Sequence, residues 1–145
     1  MTIRKGIYMR ILAMSGGRKN LRTAFYWARH PLSRKEYDIM IRVNIFYPNK
    51  EGGRFDLDYY LHTHMPMAIE KLGSSLKGVS VEHGVSGVQP GTKPAYVVMC
   101  NYTFDSAEAF LAAFMPHAQV LQGDMPNYTD IEPVMQFSEI KISQE

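Results

Sequence analysis

The sequence predicts one α+β domain of order βαββαβ over residues 40–145, preceded by a basic segment of different composition. Three observations carry this reading. Four stretches alternate apolar and polar residues as strands do, two carry apolar residues at helical spacing, and clusters of Gly, Pro, Asn and Asp separate them. The order is that of the ferredoxin-like arrangement, an antiparallel sheet with both helices on one face.

Ile41, Val43, Ile45 and Tyr47 alternate and then meet Pro48-Asn49 and Gly52-Gly53, giving a first strand and a turn. Asp56 is a good N-cap for a helix through about Leu72, and Gly73 ends it, because glycine adopts the left-handed conformation that stops a helix. Val79, Val81, His83 and Val85 predict a second strand with these four side chains inward, closed by Gly84, Gly87, Pro90 and Gly91. Ala95 to Phe104 reads as a long third strand. Asp105 and Glu108 stand at capping-box spacing and start a second helix, whose stripe runs through Phe110, Leu111, Phe114, His117 and Leu121. Val134 to Ile142 supplies the last strand.

Both faces of the third strand carry apolar residues: Val98 and Cys100 on one, Val97 and Met99 on the other. Two helices cover only one face of such a sheet. A second copy of the chain, packed sheet to sheet, is the simplest cover, so a homodimer is expected.

The composition, 46% hydrophobic and 21% charged over 145 residues, excludes collagen, a coiled-coil rod and a wholly disordered chain. No apolar run approaches the roughly 20 residues of a membrane-spanning helix. The single cysteine, Cys100, allows no intramolecular disulfide and no CxxC motif, which points to a reducing, cytoplasmic setting.

The net charge of +2 conceals an asymmetry. Residues 1–39 hold nine Lys/Arg against two acids, a net of +7, whereas residues 40–145 hold seven against twelve, a net of −5. Arg10 interrupts the apolar stretch from Ile7 to Met14, so this is no secretory signal. The segment reads as a leader ahead of a start at Met40, since Lys35-Glu36 can be encoded by a purine-rich ribosome-binding sequence at suitable spacing. The competing readings are a basic amphipathic arm for membrane or nucleic acid, built on Leu21, Ala24, Phe25 and Ala28, and an organelle-targeting peptide. The domain itself repels phosphate, and its third strand lacks the basic-Gly-aromatic pattern of RNA-recognition domains, so nucleic acid is excluded as its partner.

The chemistry-bearing residues concentrate in the first helix, at His62-Thr63-His64-Met65-Pro66. Helical positions two apart point roughly 200° apart, so the two imidazoles cannot share a metal ion. His64 falls in the stripe of Leu57, Leu61, Ala68 and Leu72, while His62 lies beside Asp58 on the polar flank. Pro66 leaves the His62 carbonyl without its helical donor and makes the helix irregular there. An inward His64 is either a hydrogen-bonded core histidine or a general base, kept neutral near pH 7 by burial. His83 and His117 also fall on inward faces, as cavity-lining or structural groups. A pocket of several imidazoles with Tyr59, Tyr60, Tyr96 and Tyr102 suits proton movement on an aromatic or polyketide-like ligand. No GxGxxG, Walker loop, GxSxG elbow or HExxH is present, so neither cofactor nor metal is expected.

The residues in order resemble a known family. Met40-Ile41-Arg42-Val43 leading to Tyr47-Pro48, Phe55-Asp56-Leu57-Asp58-Tyr59-Tyr60 with His64-Met65-Pro66, Gly84-Val85-Ser86-Gly87, Phe104-Asp105-Ser106 and Asp124-Met125-Pro126-Asn127-Tyr128-Thr129 are similar to the EthD family of dimeric α+β barrel proteins. The resemblance implies a homodimer whose two sheets form a barrel, with no cofactor of its own. Its founding member resembles an accessory protein of ether degradation beside an oxygenase, and relatives are named EthD family reductases. A reductase needs an electron source, for which the chain shows no nucleotide or flavin motif. The family's histidine maps onto His64 and its Asp-x-Pro-Asn motif onto Asp124 to Asn127, a stretch that equally suits a structural turn. The family's second histidine is replaced by Asn101.

The leading functional expectation is a homodimeric enzyme acting on a small hydrophobic, aromatic or carbonyl-bearing metabolite. His64 is the expected proton acceptor, Tyr60 with Asn44 or Asn101 the substrate-orienting groups, and His83 and His117 further lining. The alternatives are a non-catalytic ligand carrier for an oxygenase and a dimerisation module whose basic arm is the working part.

Overall fold

The computed structural model describes residues 40–143, and the readings made for residues 1–39 lie outside them. Strand β1 (Ile41–Pro48) leads into the first helical region, α1 (Leu57–Tyr59), a wide π-type turn (Tyr60–His64) and α2 (Met65–Leu72). Next come β2 (Gly78–His83), β3 (Tyr96–Phe104), α3 (Ala107–Phe114), a tight turn at Met115–His117, α4 (Ala118–Gly123), α5 (Met125–Tyr128) and β4 (Val134–Glu139). The sheet runs β2–β3–β1–β4 and is antiparallel throughout. The expected βαββαβ order is present, and with it the α+β, ferredoxin-like fold.

The alternation in the sequence sets the two faces. Register pairs Ile41 with Phe104, Val43 with Tyr102 and Ile45 with Cys100, so these residues share the helix-covered face. Val43, Val98, Cys100 and Phe104 are essentially inaccessible there, against Ala68 and Leu72 of α2 and Phe110 and Leu111 of α3. The helices cover the two central strands most fully, and over β4 the Phe110 ring of α3 meets Phe137 edge to face at 5.7 Å. At the edges, helix-facing Val79, Met135 and Phe137 remain 41–51% exposed, and Val85 lies beyond β2 at 85%. The expected inward set on the second strand is corrected accordingly: Val79 and His83 are exposed and Val81 is only half-buried, because an edge strand has a neighbour on one side only.

Two helix starts illustrate how local chemistry decides. Asp56 accepts the Tyr59 N–H at 2.9 Å and caps α1. For the second helix the cap is Ser106, accepting the Ala109 N–H at 3.1 Å, rather than Asp105. Gly73, at φ +60°, ends α2 as expected. Close approach matters at Gly84, where a Cβ would collide with the Tyr96 carbonyl oxygen.

The opposite face of the sheet carries a polar belt across all four strands. The Asn44 amide donates to Asn101, Asn101 donates to Glu82 at 3.1 Å, and Ser138 donates to Asn44 while accepting from Gln136 at 2.9 Å. Half-buried Phe46, Val97 and Met99 flank this belt.

Phe104→Ala empties a fully buried site and should cost about 3–5 kcal/mol. Val88→Ala, at a fully exposed position, should stay within about 0.5 kcal/mol. Urea unfolding of the two variants measures both, and a small loss for Phe104→Ala would contradict the packing described.

Candidate functional site

The site forms where two segments distant in sequence are laced together. The Asp56 N–H donates to the Tyr128 carbonyl at 2.7 Å, the Thr129 hydroxyl to the Arg54 carbonyl at 2.7 Å, and the Arg54 guanidinium to the Pro126 carbonyl at 2.7 Å. Residues 54–60 and 124–130 therefore hold a fixed relation. Above them, Pro66 has no N–H to return to the His62 carbonyl, and the preceding turn widens so that the Met65 N–H reaches the Tyr60 carbonyl. This wide turn places Tyr60 and His64 ring over ring, 5.3 Å apart and only 15° from parallel.

Buried His64 faces Asp124, its Nδ1 standing 2.8 Å from Oδ2. The other carboxylate oxygen accepts the Tyr59 hydroxyl at 2.8 Å and the Asn127 amide at 2.9 Å. Burial pushes the Asp124 carboxyl up, but the hydrogen bonds from Asn127, His64 and Tyr59 outweigh it and hold the group below the usual carboxylate value. For His64 the balance is reversed. Burial lowers its pKa more than the Asp124 bond and charge raise it, so the imidazole is neutral near pH 7.

An ionised carboxylate only accepts hydrogen bonds, so the single ring proton sits on Nδ1. Nε2 keeps its lone pair and has no protein partner among the described residues. The Tyr128 ring packs against the His64 ring at 4.6 Å.

His64 lines a cleft of about 80 Å³ between the sheet and the helices. Ile45, Leu72, Phe110 and Phe114 contribute apolar side chains to its wall, Tyr47, Tyr102 and Tyr128 also line it, and Pro133 and Met135 border it beside the edge strand β4. Engineered cavities that admit benzene measure about 150 Å³. The cleft is smaller than such a cavity.

Of the sequence-predicted residues, the structure brings His64 and Tyr60 together, with Tyr60 supporting the imidazole from behind rather than lining the cleft. Asn44 and Asn101 bond to each other on the opposite face of the sheet and do not share a cavity with His64. His83 is exposed at the end of an edge strand, and His117 is half-buried in the turn at Pro116. Neither borders the cleft, so the expected pocket of several imidazoles is corrected to one of a single imidazole among phenols. Tyr96 packs on Phe46 instead. Sequence reasoning on spacing missed the pairing of Asp124 with His64 and the cleft-facing Tyr47 and Tyr128. The Asp-x-Pro-Asn motif was the available signal for Asp124, and the alternation of β1 for Tyr47.

Fold and site define a ferredoxin-like α+β domain with a carboxylate-oriented histidine on an apolar cleft. Residues 54–132 match the EthD domain. The crystal structure of an EthD-like protein from Ralstonia eutropha JMP134 is 46% identical with a TM-score of 0.72, over 74% of this chain and 97% of that one. An ethyl tert-butyl ether degradation (EthD) family protein from Bacillus halodurans C-125 shares the fold at 19% identity and a TM-score of 0.54, over 70% and 99% of the two chains. No curated protein matches the chain. The chain belongs to the EthD family.

The two titrations predict a pH dependence of stability. His64, lowered in the folded state, contributes stability that is present above its unfolded value of about 6.5 and lost as pH falls through its folded value. Asp124, also lowered, contributes stability present above about pH 4 and lost further down. Asp124→Asn should flatten the lower part of the stability profile and leave the decline below pH 6.5, as read by urea midpoints from pH 3 to 8. A profile identical to the parent's would remove Asp124 from the account.

Proposed function

We propose that this protein is a small homodimeric enzyme in which His64 moves a proton on a hydrophobic, aromatic or carbonyl-bearing metabolite. The observation that carries the reading is the neutral His64 ring, held through Nδ1 by Asp124 and bordering the apolar cleft. A carboxylate in this position fixes the tautomer, aims Nε2, and stabilises the imidazolium once the proton has arrived. Burial works against that imidazolium, so the proton is readily returned. Abstraction followed by redelivery to the same or a neighbouring atom is the chemistry best suited to such a pair.

The second copy belongs on the open face of the sheet. Half-buried Phe46, Val97 and Met99 around a polar belt suit the apolar ground and satisfied hydrogen bonds of a symmetric interface, and Arg42 Nε is buried there without a partner among the described residues. The single buried thiol, Cys100, fits a cytoplasmic setting. Among the described residues no helix is long and apolar enough to cross a membrane.

Deuterium exchange at the α-carbon of small aryl ketones in D2O, followed by proton NMR, tests the proton-transfer reading. His64→Ala should lower the catalysed exchange about 10²- to 10⁴-fold while sedimentation still shows a dimer. Exchange unchanged in this variant would exclude His64 as the base. Tight ketone binding by the parent protein without exchange would instead identify a ligand carrier.

A further inference from the structure

The cleft holds a second polar element. Tyr47 from β1 and Tyr128 from α5 are both almost fully buried, both border the cleft, and their hydroxyl oxygens lie 3.0 Å apart. The Tyr60 hydroxyl also gives to Tyr47, so the pair accepts that O–H, spends one of its own two between its members and keeps one to give. The remaining phenol, Tyr102, is already committed, donating to the Met65 sulfur at 3.5 Å. The rest of the wall is almost entirely apolar, with the Gln122 amide as its other polar side chain besides His64. An O–H left over in such a wall is expensive unless a ligand takes it.

The geometry points to the Tyr47–Tyr128 pair as the oxyanion-binding element of the site, with a neutral carbonyl compound or phenol as its ligand. The inference rests on the proton-transfer reading of His64 and narrows its substrate class. Since the Tyr128 ring lies against the His64 ring, the base and the donor stand side by side on the wall. A ligand carbonyl oxygen at the hydroxyl pair then brings the adjacent carbon toward Nε2.

The electrons balance without an added reagent. Nε2 takes the α-proton, the C–H pair becomes the C=C bond of the enolate, and the carbonyl π pair moves onto oxygen, where the tyrosine O–H holds it. Redelivery of the same proton from Nε2 to a conjugated carbon completes an isomerisation. Burial raises the pKa of both tyrosines well above the ordinary phenol value, which keeps them donors at neutral pH. No Lys or Arg borders the cleft, so a negative oxygen there is held by hydroxyls rather than by a counter-charge. A neutral molecule whose charge develops on one oxygen during reaction meets both conditions.

Two probes of like shape separate this role from that of the base. 4-Nitrophenol, measured above its own pKa, arrives as a ready-made oxyanion, and 4-nitrotoluene has the same outline without the oxygen. The parent protein should bind the phenolate at least tenfold more tightly than nitrotoluene. Tyr128→Phe and Tyr47→Phe should each reduce phenolate affinity about tenfold or more, the usual scale for a hydrogen bond to a charged group, and leave nitrotoluene within twofold. His64→Ala should retain the phenolate preference, because the anion needs no base. Equal binding of the two probes by the parent, or phenolate affinity untouched by both tyrosine changes, would overturn the proposal while the ketone exchange assay judged His64 separately.

Discussion

The site depends on one hydrogen bond, from His64 Nδ1 to the Asp124 carboxylate. It joins residues 60 positions apart, and the surrounding structure serves to bring them within reach. Pro66 widens the turn that carries His64, the Asp56 cap fixes where that helix begins, and main-chain bonds lace residues 54–60 to residues 124–130. Asp124 in turn is held by Tyr59 and Asn127, which occupy its second oxygen and leave the first for the imidazole. Without those two donors the carboxylate would be free to rotate and the tautomer of His64 would no longer be specified.

The aromatic packing makes the bond consequential. Tyr60 stacks on one side of the imidazole and Tyr128 leans on it, so the ring has few directions left. The same burial that keeps His64 neutral also keeps the nearby phenols protonated. A neutral acceptor and neutral donors side by side in an apolar wall make a site with no standing charge except the shielded Asp124. On the proposed function, charge that develops on a ligand there would meet groups already oriented.

The fold was largely legible in the sequence because its signals are local. Alternation located β1 and β3 nearly to the residue, and Asp56 and Gly73 marked the ends of the first helical region. What was not legible depends on neighbours. Val79 and Val81 alternate as a core strand does, yet β2 lies at the sheet edge, where Val79 stays exposed and Val81 is only half-buried. Asp105 and Ser106 are both good caps, and only the path of the chain out of β3 selects Ser106. His64 could be placed inward from the helical wheel. Its partner could not, since Asp124 and His64 meet only after the chain folds, and asparagines 44 and 101 reveal their side of the sheet only through the register of β1 with β3.

The protonation state of one ring tests the central claim most directly. Long-range proton–nitrogen NMR of the His64 imidazole at pH 7 should show a protonated Nδ1 and an unprotonated Nε2. In Asp124→Asn the pKa of the ring should fall further, because the charge that raises it is gone. An imidazolium at pH 7, or a neutral ring with its proton on Nε2, would contradict the account, since neither leaves Nε2 a lone pair.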